Sequence, residues 1–198
     1  MAITSGHEVI CCDRNRRGGL KRIFLVEQGK IGTVAASSGV VSAFPTVDSS
    51  GTASAEAFEF QFDRGTAGFS ANASRENGST IITVELEFYI PKVTAEVNNR
   101  LNELATSCGV YAIVETYADD CNAGGSGAET YHFVLGYDTI FETTAYMEFA
   151  SGEQSTGVGL QDANGTTVTL SGEQGEYPLE YSGTITPGAT ITDPVQLG

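Results

Sequence analysis

The side chains able to do chemistry are few and scattered. Imidazole and thiol donors are limited to His7, His132, Cys11, Cys12, Cys108 and Cys121. No pair has CxxC spacing, and adjacent cysteines rarely bridge each other, so the pattern predicts reduced thiols and a cytosolic origin. His7 with Cys11 and Cys12 offers part of a zinc ligand set, and buried or idle thiols are the plainer alternative. A Cys-His nucleophile would have to recruit His7 or His132, and His132 alternates with Tyr131 and Phe133 as a surface or core histidine on a strand does. Glu85 and Glu87 fall on one face of an alternating segment. A carboxylate pair can hydrolyse glycosides when its surroundings split the two roles, but a solvated sheet face gives the same spacing. Asp119, Asp120 and Asn122 bring oxygen donors for calcium without the spaced ladder of a calcium loop. Gly124-Gly125-Ser126-Gly127 is followed by Ala128 and Glu129 instead of the Lys and Ser/Thr that a phosphate loop needs. No Gly-x-Ser-x-Gly elbow leads into a helix. These residues predict no enzymatic activity, no cofactor and no required metal.

The segments that must position them read mostly as strands. Leu20 to Val26 is apolar and branched, and Lys30 to Val34 could continue it as a hairpin after Gln28-Gly29. Ala35 to Ala55 turns to Ser, Gly, Ala and Thr and reads as a long loop or an open hairpin. In Ala57 to Asp63, Phe58, Phe60 and Phe62 alternate with Glu59, Gln61 and Asp63. Ser79 to Pro91, after an Asn77-Gly78 turn, sets Ile82, Val84, Leu86, Phe88 and Ile90 against Glu85, Glu87 and Tyr89. The period then changes to helical: Val93, Val97, Leu101, Leu104 and Cys108 form one stripe, with Thr94 as the cap and Gly109 as the stop. Strands resume at Val110 to Tyr117, Tyr131 to Tyr137, Thr144 to Ala150 (including Glu148), Thr166 to Leu170 and Leu179 to Thr186. The expected fold is mainly β (α+β), an antiparallel sandwich or barrel of eight or nine strands with one short helix near 94–108. Its expected organisation is a basic arm over 1–22, one β-rich domain over 23–186 and a tail over 187–198.

Charge narrows the function. The chain of 198 residues carries 25 acidic and 10 basic residues, a net charge of −15, which disfavours binding to a phosphate backbone. All the cations lie in the first hundred residues, six of them (Arg14, Arg16, Arg17, Lys21, Arg22 and Lys30) in the first thirty. A basic arm on an acidic body is complementary to other copies of itself, so head-to-tail self-assembly is expected, with Arg14, Arg16, Arg17, Lys21 and Arg22 between subunits. Folding back of the arm on its own body is the competing reading. No apolar run approaches the roughly 20 residues of a membrane helix, and the first residues do not have the pattern of a secretory leader.

The stretch Asn77 to Tyr137, "NGSTIITVELEFYIPKVTAEVNNRLNELATSCGVYAIVETYADD" followed by a loop and "YHFVLGYDT", runs as a long alternating strand, a short helix and two strands. It resembles the central unit of tailed-bacteriophage tail tube (major tail) proteins, related to the tubes of contractile injection systems. "GTTVTLSGEQGEYPLEYSG", Gly165 to Gly183, is similar to the closing strands of small virion proteins of the same layout. The resemblance implies a structural virion protein, made in the bacterial host cytoplasm, that forms stacked hexameric rings with other tail proteins at their ends. DNA would pass through the tube without specific binding. Glu59, Glu85, Glu87 and Glu148 are then candidates for the channel wall, while the arm and the 35–55 loop would make stacking contacts. The unusual basic start "CCDRNRRGGLKR" departs from the family and leaves open another tail or neck ring protein; the remaining alternative is a β-sandwich adhesin or glycan-binding module. The absence of Trp weakens the glycan reading, since such sites stack sugars on aromatic rings.

Overall fold

A computed structural model describes residues 18–76, 78–119, 130–159 and 161–198. Two β-layers share one core. The first layer contains β5 (Gly68–Glu76), β6 (Ser79–Pro91), β10 (Gly165–Gln174) and β9 (Met147–Ser155), in the order β9-β10-β6-β5 and antiparallel throughout. The second layer runs β4 (Ala57–Phe60), β1 (Leu20–Glu27), β7 (Val110–Asp119), β8 (Thr130–Leu135), β11 (Leu179–Tyr181), β3 (Val40–Ala43) and β2 (Ala35–Ser37). All of its pairings are antiparallel except β11 with β3. A single bridge, Val110 to Met147, joins the layers. The fold is mainly β, as the alternation predicts, but the chain makes a sandwich with open sheet edges and not a closed barrel.

The core follows from period-two alternation. Val84, Leu86 and Phe88 of β6 and Val168 and Leu170 of β10 point inward, against Ile23, Leu25, Ala112 and Val114 from the second layer. The second layer is buried on its other face too. There Phe24, Val26, Tyr111, Ile113 and Val134 lie under Phe44, Val195 and Leu197. This double burial explains the almost continuous apolar runs of β1 and β7. It also makes residues 187–198, expected as a tail, part of the structure: β13 (Gln196–Leu197) pairs with β12 (Ile185–Thr186), and Val195 and Leu197 are buried.

Helix α1 (Ala95–Thr106) starts where the sequence places it, the Thr94 hydroxyl accepting from the Val97 amide. Its packing is thinner than the five-residue stripe suggests. Leu104 is buried and Leu101 touches the core, whereas Cys108 lies past the helix end and is exposed. Gly109 (φ +145) is required at the exit, since a Cβ there would collide with the Tyr146 ring.

Two buried tyrosines set an alkaline limit to stability. The Tyr111 hydroxyl donates to the Thr143 carbonyl and the Tyr181 hydroxyl to the Gly198 carbonyl. Burial pushes each phenol up to about 12. An unfolded tyrosine ionises near pH 10. Above that pH the unfolded chain loses protons that the folded chain keeps, so stability falls as pH rises from about 10 to about 12. Thermal melts across pH 8 to 12 are expected to show this fall in wild type and a shallower one in Tyr111→Phe.

Candidate functional site

The outward face of the first layer gathers acidic and small polar side chains from four strands. Alternation along β6 sends Thr83, Glu85, Glu87 and Tyr89 away from the core, and its neighbours continue the pattern. One row across the sheet reads Ser70, Glu85, Ser171, Glu148, and the next reads Gly68, Glu87, Thr169, Ser151. Glu173 lies across from Thr83, and Glu153 across from Thr167. A bulge in β9 builds this face. Ser151 pairs with Thr169 and Phe149 with Leu170, leaving Ala150 as an extra residue. Because one inserted residue inverts the alternation, Glu148 and Glu153 share a side that strict alternation would deny them. The face thus carries five glutamates among Ser, Thr, Asn and Gly, with Ile81 and Tyr89 toward its two ends, and among the described residues no Lys or Arg is on it.

Both borders of this sheet are open. The far side of β5 has no described strand partner, and β9 beyond Met147 pairs with β10 alone. An exposed edge presents unpaired N–H and C=O groups to any strand that can approach.

The structure gathers Glu85, Glu87 and Glu148 on this face and puts Glu59 elsewhere. Glu59 is on β4 in the second layer, where Arg22 forks onto both carboxylate oxygens at 2.9 and 2.6 Å. That pairing raises the Arg22 pKa. Lys21 and Arg22 belong to β1 rather than to a free arm, and Lys21 meets the buried Glu115 carboxylate. Arg14, Arg16 and Arg17 lie outside the described residues, as do His7, Cys11, Cys12, Asp120, Cys121, Asn122 and the 124–127 glycine segment. His132 sits on β8, edge-on to the Tyr181 ring. Among the described residues no three His, Cys, Asp or Glu side chains come close enough together to hold a metal, and no helix is long and apolar enough to cross a membrane.

Sequence reading missed β5. Its sequence, GFSANASRE, has a single large apolar residue, Phe69, so periodicity gives little signal. The Asn-Gly turn signal in the sequence at 77–78, followed by the strong β6 pattern, could have located it.

Fold and face together define a mainly β sandwich with one acidic, open-edged sheet. Comparison of the chain with protein-family models, curated proteins and solved structures found no match.

Proposed function

We propose that this chain is a structural subunit that assembles with copies of itself, its first-layer sheets joining edge to edge into a ring whose acidic face lines a channel. The proposed ring is hexameric and stacks into the tail tube of a bacteriophage virion, passing DNA. One observation carries the reading: a four-stranded antiparallel sheet whose polar face holds no cation among the described residues and whose two edges have no described strand partner beyond the Met147 bridge.

Its geometry suits closure. With four alternating strands, the border strands β5 and β9 run in opposite directions, so a cyclic repeat brings β5 of one copy antiparallel to β9 of the next. The two borders are also staggered. β5 and β6 extend together beyond the end of β10 at Gln174, while β9 reaches the opposite end at Gly165. The strand midpoints differ by about four to five residues over three steps inside the subunit and one to its neighbour, a slope of about 38° and within the tilt of closed barrels. Glutamates on such a wall would repel phosphates, keeping a passing duplex centred and unbound.

The subunit contacts expected of Arg14, Arg16 and Arg17 would supply cations between these acidic bodies. Lys21 and Arg22 already have partners inside the chain, so the proposed ring does not need them. Sedimentation velocity and negative-stain micrographs of the purified chain test the proposal. Rings or tubes are the expected result, and monomer alone at the highest attainable concentration would overturn it.

A further inference from the structure

Two exposed apolar features lie at opposite ends of the first-layer sheet, and each is held by a turn built around a carboxylate. At one end the β9–β10 hairpin carries Val158, which is fully exposed at 104%. The Asp162 carboxylate accepts from the Val158 and Gly159 amides at 2.9 and 2.6 Å, fixing the backbone that presents it. At the other end, past Gln174, Ile140 and Phe141 pack around Gly175, where the absence of a Cβ admits both side chains. The buried Asp138 carboxylate accepts from the Ile140, Phe141 and Gly175 amides at 2.5 to 2.7 Å, tying that loop to the end of β10. Tyr177 and Ile81 extend the apolar rim, and Ile140 and Tyr177 are each 59% exposed. The two ends are separated by the ten residues of β10, about 30 Å of strand.

We infer that the Val158 hairpin is a knob that docks on the Ile140, Phe141 and Tyr177 rim of a second copy placed end to end, so that this contact stacks one ring on the next. The inference rests on the ring proposed above. A knob at one end and a rim at the other cannot satisfy each other within one chain, whereas in head-to-tail copies each covers the next without limit, as heterologous contacts do. The bonds from the Val158 and Gly159 amides to Asp162 reduce what docking must order. Charge at the two ends is mixed: the knob also carries the exposed Asp162 and the rim also carries Glu176, beside one pair of opposite charges. Lys92, exposed and bonded through its amide to Asn164 at the base of the knob, has no salt-bridge partner among the described residues. Glu142 is exposed in the rim loop. Arg75 is also at the rim end, but it shares the core-side face of β5 with Phe69 and Ala71.

Val158→Asp and Phe141→Ser are tested separately for tube length by electron microscopy and for fold by thermal melting. Single rings with wild-type melting are expected, mean tube length falling about tenfold or more, the scale on which one buried valine counts. In a background with Cys11, Cys12, Cys108 and Cys121 replaced by serine, a Val158→Cys, Phe141→Cys double variant is expected to link neighbouring copies under mild oxidation into a ladder absent from either variant alone; the two sites are too far apart to join within a chain. Tubes of unchanged length in both first variants, or no ladder from assembled double variant, overturn the stacking contact and leave the ring standing. So does a wild type that forms only single rings. Loss of the rings themselves in Val158→Asp would place Val158 in the ring contact and overturn the assignment. Monomeric wild type overturns ring and stacking together.

Discussion

Truncating Phe88 to alanine is expected to cost about 3–5 kcal/mol, a large part of the 5–15 kcal/mol that holds a typical domain together. Phe88 is completely buried on β6, and its ring meets the Phe60 ring edge-on at 6.2 Å, linking the two layers. The adjacent inward side chains, Leu86, Val168 and Leu170, are themselves buried in the same core. The adjoining residue is the control. Glu87 projects from the other face and is exposed, so Glu87→Ala is expected to stay within about 0.5 kcal/mol of wild type. Urea unfolding of the two variants measures both values. Similar losses would mean that the inward and outward faces of β6 are wrongly assigned.

The second large effect is expected on assembly. Adjacent residues of an edge strand direct their N–H groups alternately to the inner neighbour and to solvent, and proline removes that group. Of Asn72→Pro and Ala73→Pro, one therefore breaks the β5–β6 ladder and destabilises the subunit. The other leaves the subunit folded but deprives its free edge of a donor and blocks the approach of a strand. The folded variant is expected to sediment as a monomer under conditions where wild type forms rings. If it assembles as wild type does, β5 is not the joining edge.

How much of this was legible in the sequence depended on how local the cause was. β6 and α1 stood out because strict alternation and a capped helical stripe are properties of consecutive residues; β6 lies where its pattern puts it, and α1 starts at its Thr94 cap but ends at Thr106, with Ser107 and not Gly109 as its C-cap. Short β2 and β3 form a small hairpin within the stretch read as loop or open hairpin, while Lys30 to Val34 contributes a lone bridge, Ile31 to Thr46, instead of a strand. The site was partly legible. Glu85 and Glu87 follow from alternation alone. Alternation gives Glu59 a polar face as well, but whether that face borders an open sheet or meets Arg22 depends on the pairing of β4 with β1, a contact across more than thirty residues. Glu153 was hidden by the bulge at Ala150, which no local period reveals, and Lys21 and Arg22 read both as the end of a basic arm, on their charge, and as the start of the Leu20 to Val26 strand, of which the structure keeps the strand.

The most direct test is a reconstruction of the assembled particle by electron cryo-microscopy, at a resolution that separates strands. The expected map shows β5 of each subunit antiparallel to β9 of the next, with Glu85, Glu87, Glu148, Glu153 and Glu173 facing a lumen of net negative potential. A map with those glutamates on the outer surface, or with a positively charged lumen, would contradict the proposal that this face lines a channel for DNA.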